Sequence, residues 1–211
     1  GLRSQMTVIM GAGHPHYSDS NTELATPDYG YISEASFAKL RDGQSAYSFI
    51  EDKADFESLA AGGETPERVF GIAQVASTLQ QGRASAVEGT EALPYTTPLN
   101  AGVPSLETMT QASLNVLDNN DEGFFLHIEG GAIDWTGHAN DTARNIEETQ
   151  DFNASVEAAV EWVEEESSWD ETLIIVTADH ETGFLSGPNG GPSVEGAEEW
   201  VGNNDEYHAE W

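Results

Sequence analysis

Two short apolar runs, with a helical pattern between them, constrain the fold of this chain more than any other feature of its sequence. Phe124–Ile128 and Leu173–Val176 are bounded by polar residues and are rich in aromatic or β-branched side chains, as buried strands are. Between them, apolar residues recur every three to four positions, which predicts an amphipathic helix of roughly 20 residues capped by Asp141. Strand, helix and strand in this order predict a right-handed crossover between parallel strands.

Each apolar run is followed by a group of acidic residues and histidines. The six residues are Glu129, Asp134, His138, Asp179, His180 and Glu181. Ligands of open α/β sheets bind beyond the carboxyl ends of the strands, so both groups are expected to meet at one sheet edge. Carboxylate oxygens and imidazole nitrogens are zinc ligands, whereas a set of oxygens alone suits magnesium. The sequence therefore predicts a divalent-cation site; the alternative is a pair of solvated acidic loops.

The spacing within each group indicates how it could bind an ion. Asp134 and His138 are four residues apart, so one helical turn would place both on the same face. Asp179 and His180 are adjacent, so they could share an ion only in a non-helical turn. Glu181 is either an orienting partner of His180 or a solvated side chain.

Two strings in these groups are recognisable. EGGAIDWTGH and TADHETG resemble the two metal-binding segments of alkaline phosphatases, at that family's spacing, and the opening VIMGAGHP is similar to its marine and halophilic bacterial branch. The resemblance implies an alkaline-phosphatase-like layered α/β fold, with a mostly parallel central sheet and helices on both faces. It also implies hydrolysis of phosphate monoesters through a phosphoserine, with two zinc ions about 4 Å apart.

By this resemblance, the chain carries five metal ligands and one substrate contact. They are Glu129 for magnesium, Asp134 and His138 for the first zinc, Asp179 and His180 for the second zinc, and Trp135 beside the bound phosphate. The implied cofactors are zinc and magnesium. The implied partners are small-molecule phosphate monoesters and, in a full-length protein, a second copy in a homodimer.

Other parts of the family pattern do not occur in this sequence. The serine nucleophile motif, the aspartate that bridges the metals and the arginine that clamps phosphate are absent, and Asp19-Ser20-Asn21 lacks the motif's small residue and following helix. His208 is the only candidate for a third imidazole of the first zinc site, and its surroundings do not match. We expect a single partial domain over residues 1–211, inactive alone and without its nucleophile, in which a large acidic insertion begins at 186.

The amino-acid composition limits the classes of binding partner and the cellular locations that suit this chain. Seven basic residues against 38 acidic ones give a formal charge of −31, which excludes a nucleic-acid partner. Because the acidic residues are spread among core-forming runs, adaptation to high salt is favoured over an acidic tail. The sequence has no cysteine and no apolar run that approaches the length of a membrane span. These features fit a periplasmic or secreted protein that does not enter membranes.

Two other functions compete with this interpretation. One is a non-catalytic acidic metal-binding protein or fragment, and the other is a metallohydrolase of the sulfatase or phosphodiesterase kind, against which the E-x4-D-x3-H spacing argues.

Further elements are predicted from local pattern. The strands are Thr7–Met10, Ala46–Ile50 and Arg68–Ile72, and the helices are Ala35–Leu40, Lys53–Ala61 and one that opens at Pro104-Ser105. His127 is expected to be a packed core residue.

Overall fold

Helices and parallel strands alternate along the first half of the chain, and helices dominate the second half. The structure is a computed structural model that describes residues 6–84 and 93–183. Its elements are β1 (Val8–Gly11), α1 (Glu34–Arg41), β2 (Ser48–Ile50), α2 (Lys53–Ala60), β3 (Val69–Ile72), α3 (Leu106–Leu117), α4 (Ala132–Ala139) and α5 (Thr142–Glu166). The three strands and three helices predicted from local pattern are all present, with bounds that differ by a few residues. The predicted acidic insertion from residue 186 lies outside the described residues.

The three strands form a parallel sheet in the order β1-β3-β2. Side chains of successive strand residues point to opposite faces, and both faces are covered. On one face, Val69 packs with residues of α2 and α3, including Leu59 and Val116. On the other, Ile72 packs with Phe37 of α1. The predicted fold class, a parallel sheet between helices, is therefore confirmed.

The two long helices begin where the sequence predicts, one at Pro104-Ser105 and the other after Asp141. Ser105 Oγ accepts a hydrogen bond from Thr108 N at 3.1 Å at the start of α3. Asp141 Oδ1 accepts one from Arg144 N at 3.0 Å at the start of α5, which runs for 25 residues rather than about 20. Such caps satisfy amide groups that have no partner inside the helix. The predicted helix between the two apolar runs is thus confirmed.

The predicted strands Phe124–Ile128 and Leu173–Val176 are wrong for the part of the chain that the structure describes. Neither run joins a strand ladder there, and Phe125 and Leu173 are 88% and 82% exposed. β-forming residues make a strand only where a neighbouring edge pairs with them, and neither run lies in the described sheet. For the same reason His127 is exposed rather than buried in a core.

A buried ion cluster joins the loop after β3 to α5. Arg83 donates to Glu147 Oε2 at 2.5 Å, and Arg144 donates to the same oxygen at 2.9 Å. Tyr95 N donates to the other carboxylate oxygen at 2.6 Å. Burial alone would raise the pKa of Glu147, but these three donors together lower it. Glu147 is buried in this cluster, and the adjacent Glu148 of α5 is buried as well.

Candidate metal centre

The helical turn expected after the first apolar run is present within α4, a helix of eight residues, and it brings two predicted ligands together. His138 Nε2 lies 3.5 Å from Asp134 Oδ2, one turn away on the same face. The helix ends at Ala139, and the following Asn140 has a φ of 54°, the left-handed conformation that often terminates helices. The side chains of Asp134 and His138 are 38% and 72% exposed, so this pair is open to a ligand from solvent.

The segment after the second apolar run lies directly against α4. A Cβ atom on Gly137 would lie 2.9 Å from the carbonyl oxygen of Thr182, and one on Gly183 would lie 2.8 Å from the carbonyl oxygen of Gly137. Gly183 also has a φ of +85°, which side-chain-bearing residues rarely adopt. The absence of side chains at these two glycines therefore permits the close approach that joins the two groups.

This approach makes Asp134 the point where the two groups meet. Thr182 Oγ1 donates to Asp134 Oδ1 at 2.6 Å, and His180 Nε2 lies 3.9 Å from the same oxygen. On its other side, His180 Nε2 lies 3.5 Å from Asp179 Oδ2. The imidazole nitrogen thus lies between two carboxylates that are distant in sequence. The two groups meet as expected, although the strands expected to carry them are not formed.

The hydrogen bonds around His180 fix which ring nitrogen is available to an ion. Because Thr182 gives its only hydroxyl proton to Asp134, its oxygen accepts from His180 Nδ1 at 3.0 Å. The carbonyl of Glu181 lies 3.1 Å from the same nitrogen. Both contacts place a proton on Nδ1 and leave the Nε2 lone pair directed toward the carboxylates, which is the arrangement of metal-binding histidines. The Glu181 carbonyl and then Asp179 raise the pKa of His180, so protons compete with a cation for Nε2.

The distance between the two donor atoms in each Asp–His pair fits the binding of one divalent cation by that pair. Two ligands at about 2.0–2.1 Å from a tetrahedral zinc are roughly 3.3 Å apart. The pairs Asp134–His138 and Asp179–His180 have donor separations of 3.5 Å, close to that value. Within residues 6–84 and 93–183, no three acidic or histidine side chains converge on one point as a ready-made cage. The donor chemistry therefore fits zinc, with two donors for each ion from the described residues.

The two remaining predicted site residues border a cavity beside α4. Glu129 and Trp135 contribute to the wall of this cavity, whose volume is about 450 Å³. The carboxylate of Glu129 lies over Gly131, where a Cβ atom would be 3.2 Å from Glu129 Oε1. Trp135 is 46% exposed and adjoins Asp134 in the chain. Direct contacts thus link four of the six site residues that the family resemblance implies, namely Asp134, His138, Asp179 and His180. The other two, Glu129 and Trp135, lie at the neighbouring cavity.

Sequence reasoning missed Thr182 and the role of Gly137 and Gly183. The available signal was the Thr-Gly pair directly after the acidic and histidine group, which can be interpreted as a simple turn. It also missed Glu148, whose position next to Glu147 on an acidic helix gives no sign of burial. Glu148 is only 9% exposed, and its Oε1 atom has no hydrogen-bond partner.

Comparison with known proteins decides the family. A family model described as alkaline phosphatase matches residues 2–208. The chain belongs to the alkaline phosphatase family. Among curated relatives, alkaline phosphatase 4 of Bacillus subtilis (strain 168) is 44% identical over 88 residues, which are 41% of this chain and 18% of that protein. Alkaline phosphatase of Escherichia coli (strain K12) is 42% identical over 81 residues, 38% of this chain and 17% of that protein.

A solved alkaline phosphatase supports the same assignment at the level of fold. The cold-active alkaline phosphatase from the psychrophile Shewanella sp. superposes with a TM-score of 0.50 and 27% identity. The superposition covers 77% of this chain but 31% of that one. The chain therefore spans under a third of that structure and under a fifth of the two curated relatives in the matched segments. Among the described helices, none is long and apolar enough to cross a membrane.

Proposed function

We propose that this chain is the metal-binding portion of a zinc- and magnesium-dependent phosphate monoester hydrolase. The observation that carries the proposal is the double contact of Asp134, which faces His138 on its own helix and His180 from the following segment. One carboxylate between two imidazoles can support two neighbouring cations. Metal dependence is also general in the alkaline phosphatase family.

The residues of the chain would divide the work of holding two zinc ions. Asp134 and His138 would hold the first, and Asp179 and His180 would hold the second. Thr182 orients Asp134 by donating to Oδ1, and it receives the Nδ1 proton of His180. Zinc ions bound there would supply Lewis acidity toward the phosphate and its attacking and leaving oxygens.

Charge explains why such a site needs cations. The chain has a formal charge of −31, and the centre itself contains two carboxylates, so it would repel a phosphate dianion without bound cations. Divalent cations held there by Asp134, His138, Asp179 and His180 would be the largest local charges and would offset the negative charge of the carboxylates. Glu129 at the cavity wall would hold magnesium, and Trp135 would lie beside the phosphate. The same charge supports a high-salt, periplasmic or secreted setting and a partner class of small phosphate esters.

The test pairs zinc stoichiometry with hydrolysis of nitrophenyl phosphate in high salt near pH 9–10. We expect wild-type chain to bind zinc, Asp179→Ala to lose the second site and His138→Ala to weaken the first. Asp134→Ala should weaken both, since Asp134 contacts both imidazoles. The matched control is Glu164→Gln, which removes an exposed carboxylate on α5. Undiminished zinc binding by Asp134→Ala would contradict the proposed centre.

A second function, zinc binding without turnover, is favoured by the surroundings of Ser20. Its hydroxyl oxygen accepts a hydrogen bond from Ala84 N at 2.9 Å, and Asp19 beside it accepts from Ser77 N and Oγ at 2.7 Å. These contacts give the segment a structural role in joining two loops. Zinc uptake with no hydrolysis would support this second function for the chain alone. Hydrolysis that disappears in Ser20→Ala would instead identify Ser20 as the nucleophile.

A further inference from the structure

The short helix α4 carries Asp134, Trp135 and His138, and its own sequence gives it little stability. It has eight residues, whereas isolated helices shorter than about 12–15 residues are marginal in water. The residue at its cap position is Gly131, which has no side chain that could accept a hydrogen bond from the first amide groups of the helix. Contacts from outside α4 must therefore fix its position.

Asn145 of α5 binds this helix through its side-chain amide. Asn145 Nδ2 lies 3.1 Å from the carbonyl oxygen of Ile133 and 2.9 Å from Thr136 Oγ1. The carbonyl can only accept, and Thr136 Oγ1 donates its own proton to that same carbonyl at 2.7 Å. Both contacts therefore need N–H donors from Asn145. The two protons of one amide group bind two points of α4, and this fixes the orientation of the amide.

These two points enclose the residues of α4 that face the chemistry. Ile133 directly precedes Asp134, and Thr136 directly follows Trp135. Thr136 is fully buried, so its contact with Asn145 is shielded from water. The backbone of Asp134 and Trp135 is thus held at both ends from α5. From the opposite segment, Thr182 holds the carboxylate of Asp134 itself.

An asparagine that joins two helices can also serve stability alone, and the chain contains such a case. Asn115 Nδ2 in α3 donates to the carbonyls of Leu59 and Ala60 in α2, at 2.8 and 3.0 Å. Asn115 thus also makes two hydrogen bonds to a neighbouring helix, but its two partners adjoin no predicted site residue. Comparison of Asn145 with Asn115 therefore separates a role in the site from a role in stability.

We propose that Asn145 is a positioning residue for the candidate metal centre, which holds the backbone of α4 so that Asp134 and His138 can bind one cation together. The role of the cation rests on the proposed function, whereas the contacts of Asn145 do not. Without these contacts α4 opens more often, and its two ligands spend less time in the binding geometry. Zinc affinity then falls even though no ligand has been removed.

The first test needs no metal. Amide hydrogen exchange of wild type, Asn145→Leu and Asn115→Leu is measured residue by residue in EDTA. We expect Asn145→Leu to speed exchange at Thr136 and Gly137 roughly tenfold or more, because the loss of two hydrogen bonds favours local opening of α4. Asn115→Leu should leave both amides within about threefold of wild type. Unchanged exchange in Asn145→Leu, or equal acceleration in both variants, would overturn the proposal.

The second test measures the zinc affinity of the first pair of ligands alone. Both variants are made in the Asp179→Ala background, which by the proposed function lacks the second site, and zinc is titrated against a chromophoric chelator. We expect Asn145→Leu to bind zinc roughly tenfold more weakly and Asn115→Leu to stay within about threefold of the parent. Equal affinity of the two variants would overturn the proposal. If Asn145→Leu does not fold, Thr136→Val removes one of the two acceptors with little change of shape, and the same outcomes apply to it.

The two tests distinguish failure of this inference from failure of the proposed function. An Asp179→Ala parent that binds no zinc would contradict the proposed centre at Asp134 and His138. Hydrogen exchange in EDTA would then decide by itself whether Asn145 holds α4. Zinc binding by the parent that Asn145→Leu leaves unchanged would keep the centre and remove Asn145 from it.

Discussion

Thr182 Oγ1 lies 2.6 Å from Asp134 Oδ1, although 48 residues separate them in the chain. This hydrogen bond joins the segment that carries Asp179 and His180 to the helix that carries Asp134. It also directs the hydroxyl oxygen toward His180 Nδ1, so one threonine orients one predicted ligand from each group. Such outer contacts commonly contribute 10- to 100-fold to metal affinity.

Replacing Thr182 by valine should therefore weaken zinc binding without unfolding the protein. We expect a roughly 10- to 100-fold rise in the zinc dissociation constant, measured by competition with a chromophoric chelator. The control is Thr177→Val in the same segment, whose exposed hydroxyl donates to the neighbouring carbonyl of Ala178 at 3.2 Å. Zinc affinity that falls equally in both variants would show that Thr182 has no special role.

Adding a methyl group to Gly137 should separate α4 from the following segment. A Cβ atom there would lie 2.9 Å from both Thr182 Cγ2 and the Thr182 carbonyl oxygen, so the segment must move away. Alanine favours a helix interior over glycine by roughly 0.5–1 kcal/mol, so α4 itself should not be weakened. We expect Gly137→Ala to reduce zinc affinity at the second site while circular dichroism stays unchanged. Full zinc stoichiometry with wild-type affinity would contradict the close approach.

The buried ion cluster of Arg83, Glu147 and Arg144 should be sensitive to loss of one member. Arg83→Met leaves Glu147 with fewer donors in a buried position, which typically costs about 3–5 kcal/mol of unfolding free energy. Because its donors lower the pKa of Glu147, the stability that this carboxylate contributes is present above its unfolded pKa and is lost as the pH falls. Urea unfolding of the variant measures the loss.

The matched control for this cluster is an exposed pair. Lys53 Nζ and Glu57 Oε1 are 3.7 Å apart, with side chains that are 36% and 55% exposed. Glu57→Gln should change the unfolding free energy by less than about 1 kcal/mol. A similar loss in both variants would show that burial of Arg83 and Glu147 does not decide their contribution.

Glu148 should make the protein less stable as the pH rises. Burial and then Asp151 raise the pKa of Glu148 to about 7 from an ordinary value of 4.5, with Glu147 adding to the rise and Arg83 and Arg144 opposing it. Because the folded protein holds the proton on Glu148 more tightly than the unfolded chain does, protonation of Glu148 stabilises the fold. This contribution to the unfolding free energy, about 3 kcal/mol, is complete below the unfolded pKa and is lost as the pH rises through about 7.

Glu148→Gln removes this titration. We expect the difference in unfolding free energy between wild type and variant to change in favour of the variant from pH 5 to pH 8. Urea unfolding at four pH values in 1 M NaCl gives that difference. A difference that stays constant with pH would rule out a raised pKa for Glu148. Burial also raises the pKa of Asp151. Its effect on the pH dependence of the unfolding free energy is present in both proteins and cancels in the difference.

The net charge should make stability depend on salt. At −31, repulsion among carboxylates opposes folding, and added ions screen it, with a Debye length that falls from about 10 Å at 0.1 M to about 3 Å at 1 M. We expect the melting temperature to rise well beyond 0.5 M NaCl, as followed by circular dichroism. Potassium chloride should have a similar effect, because screening depends on ionic strength. A melting temperature that is flat from 0.1 to 2 M would rule out salt adaptation.

Local sequence pattern was sufficient to predict the features whose partners lie within a few residues of each other. Asp141 caps α5 as predicted, and Ser105 caps the helix predicted to open at Pro104-Ser105, since a cap needs only the amide groups a few residues ahead. The spacing of Asp134 and His138 likewise predicted their contact on α4, because helical geometry fixes side chains four residues apart. The meeting of the two groups was also predicted from the sequence, but by way of two strands that are absent from the described sheet.

The sequence by itself determined the family, the alternating helices and strands, and the residue types that suit a divalent cation. Only the tertiary structure decided that Thr182 joins Asp134 to His180, that Gly137 and Gly183 permit this approach, and that Glu148 is buried with a free oxygen. It also decided that Phe124–Ile128 does not join the described sheet. The physical reason is the range of the interactions. Caps and helical pairs form within a few residues, whereas strand pairing, close approach and burial depend on partners that the local sequence does not contain.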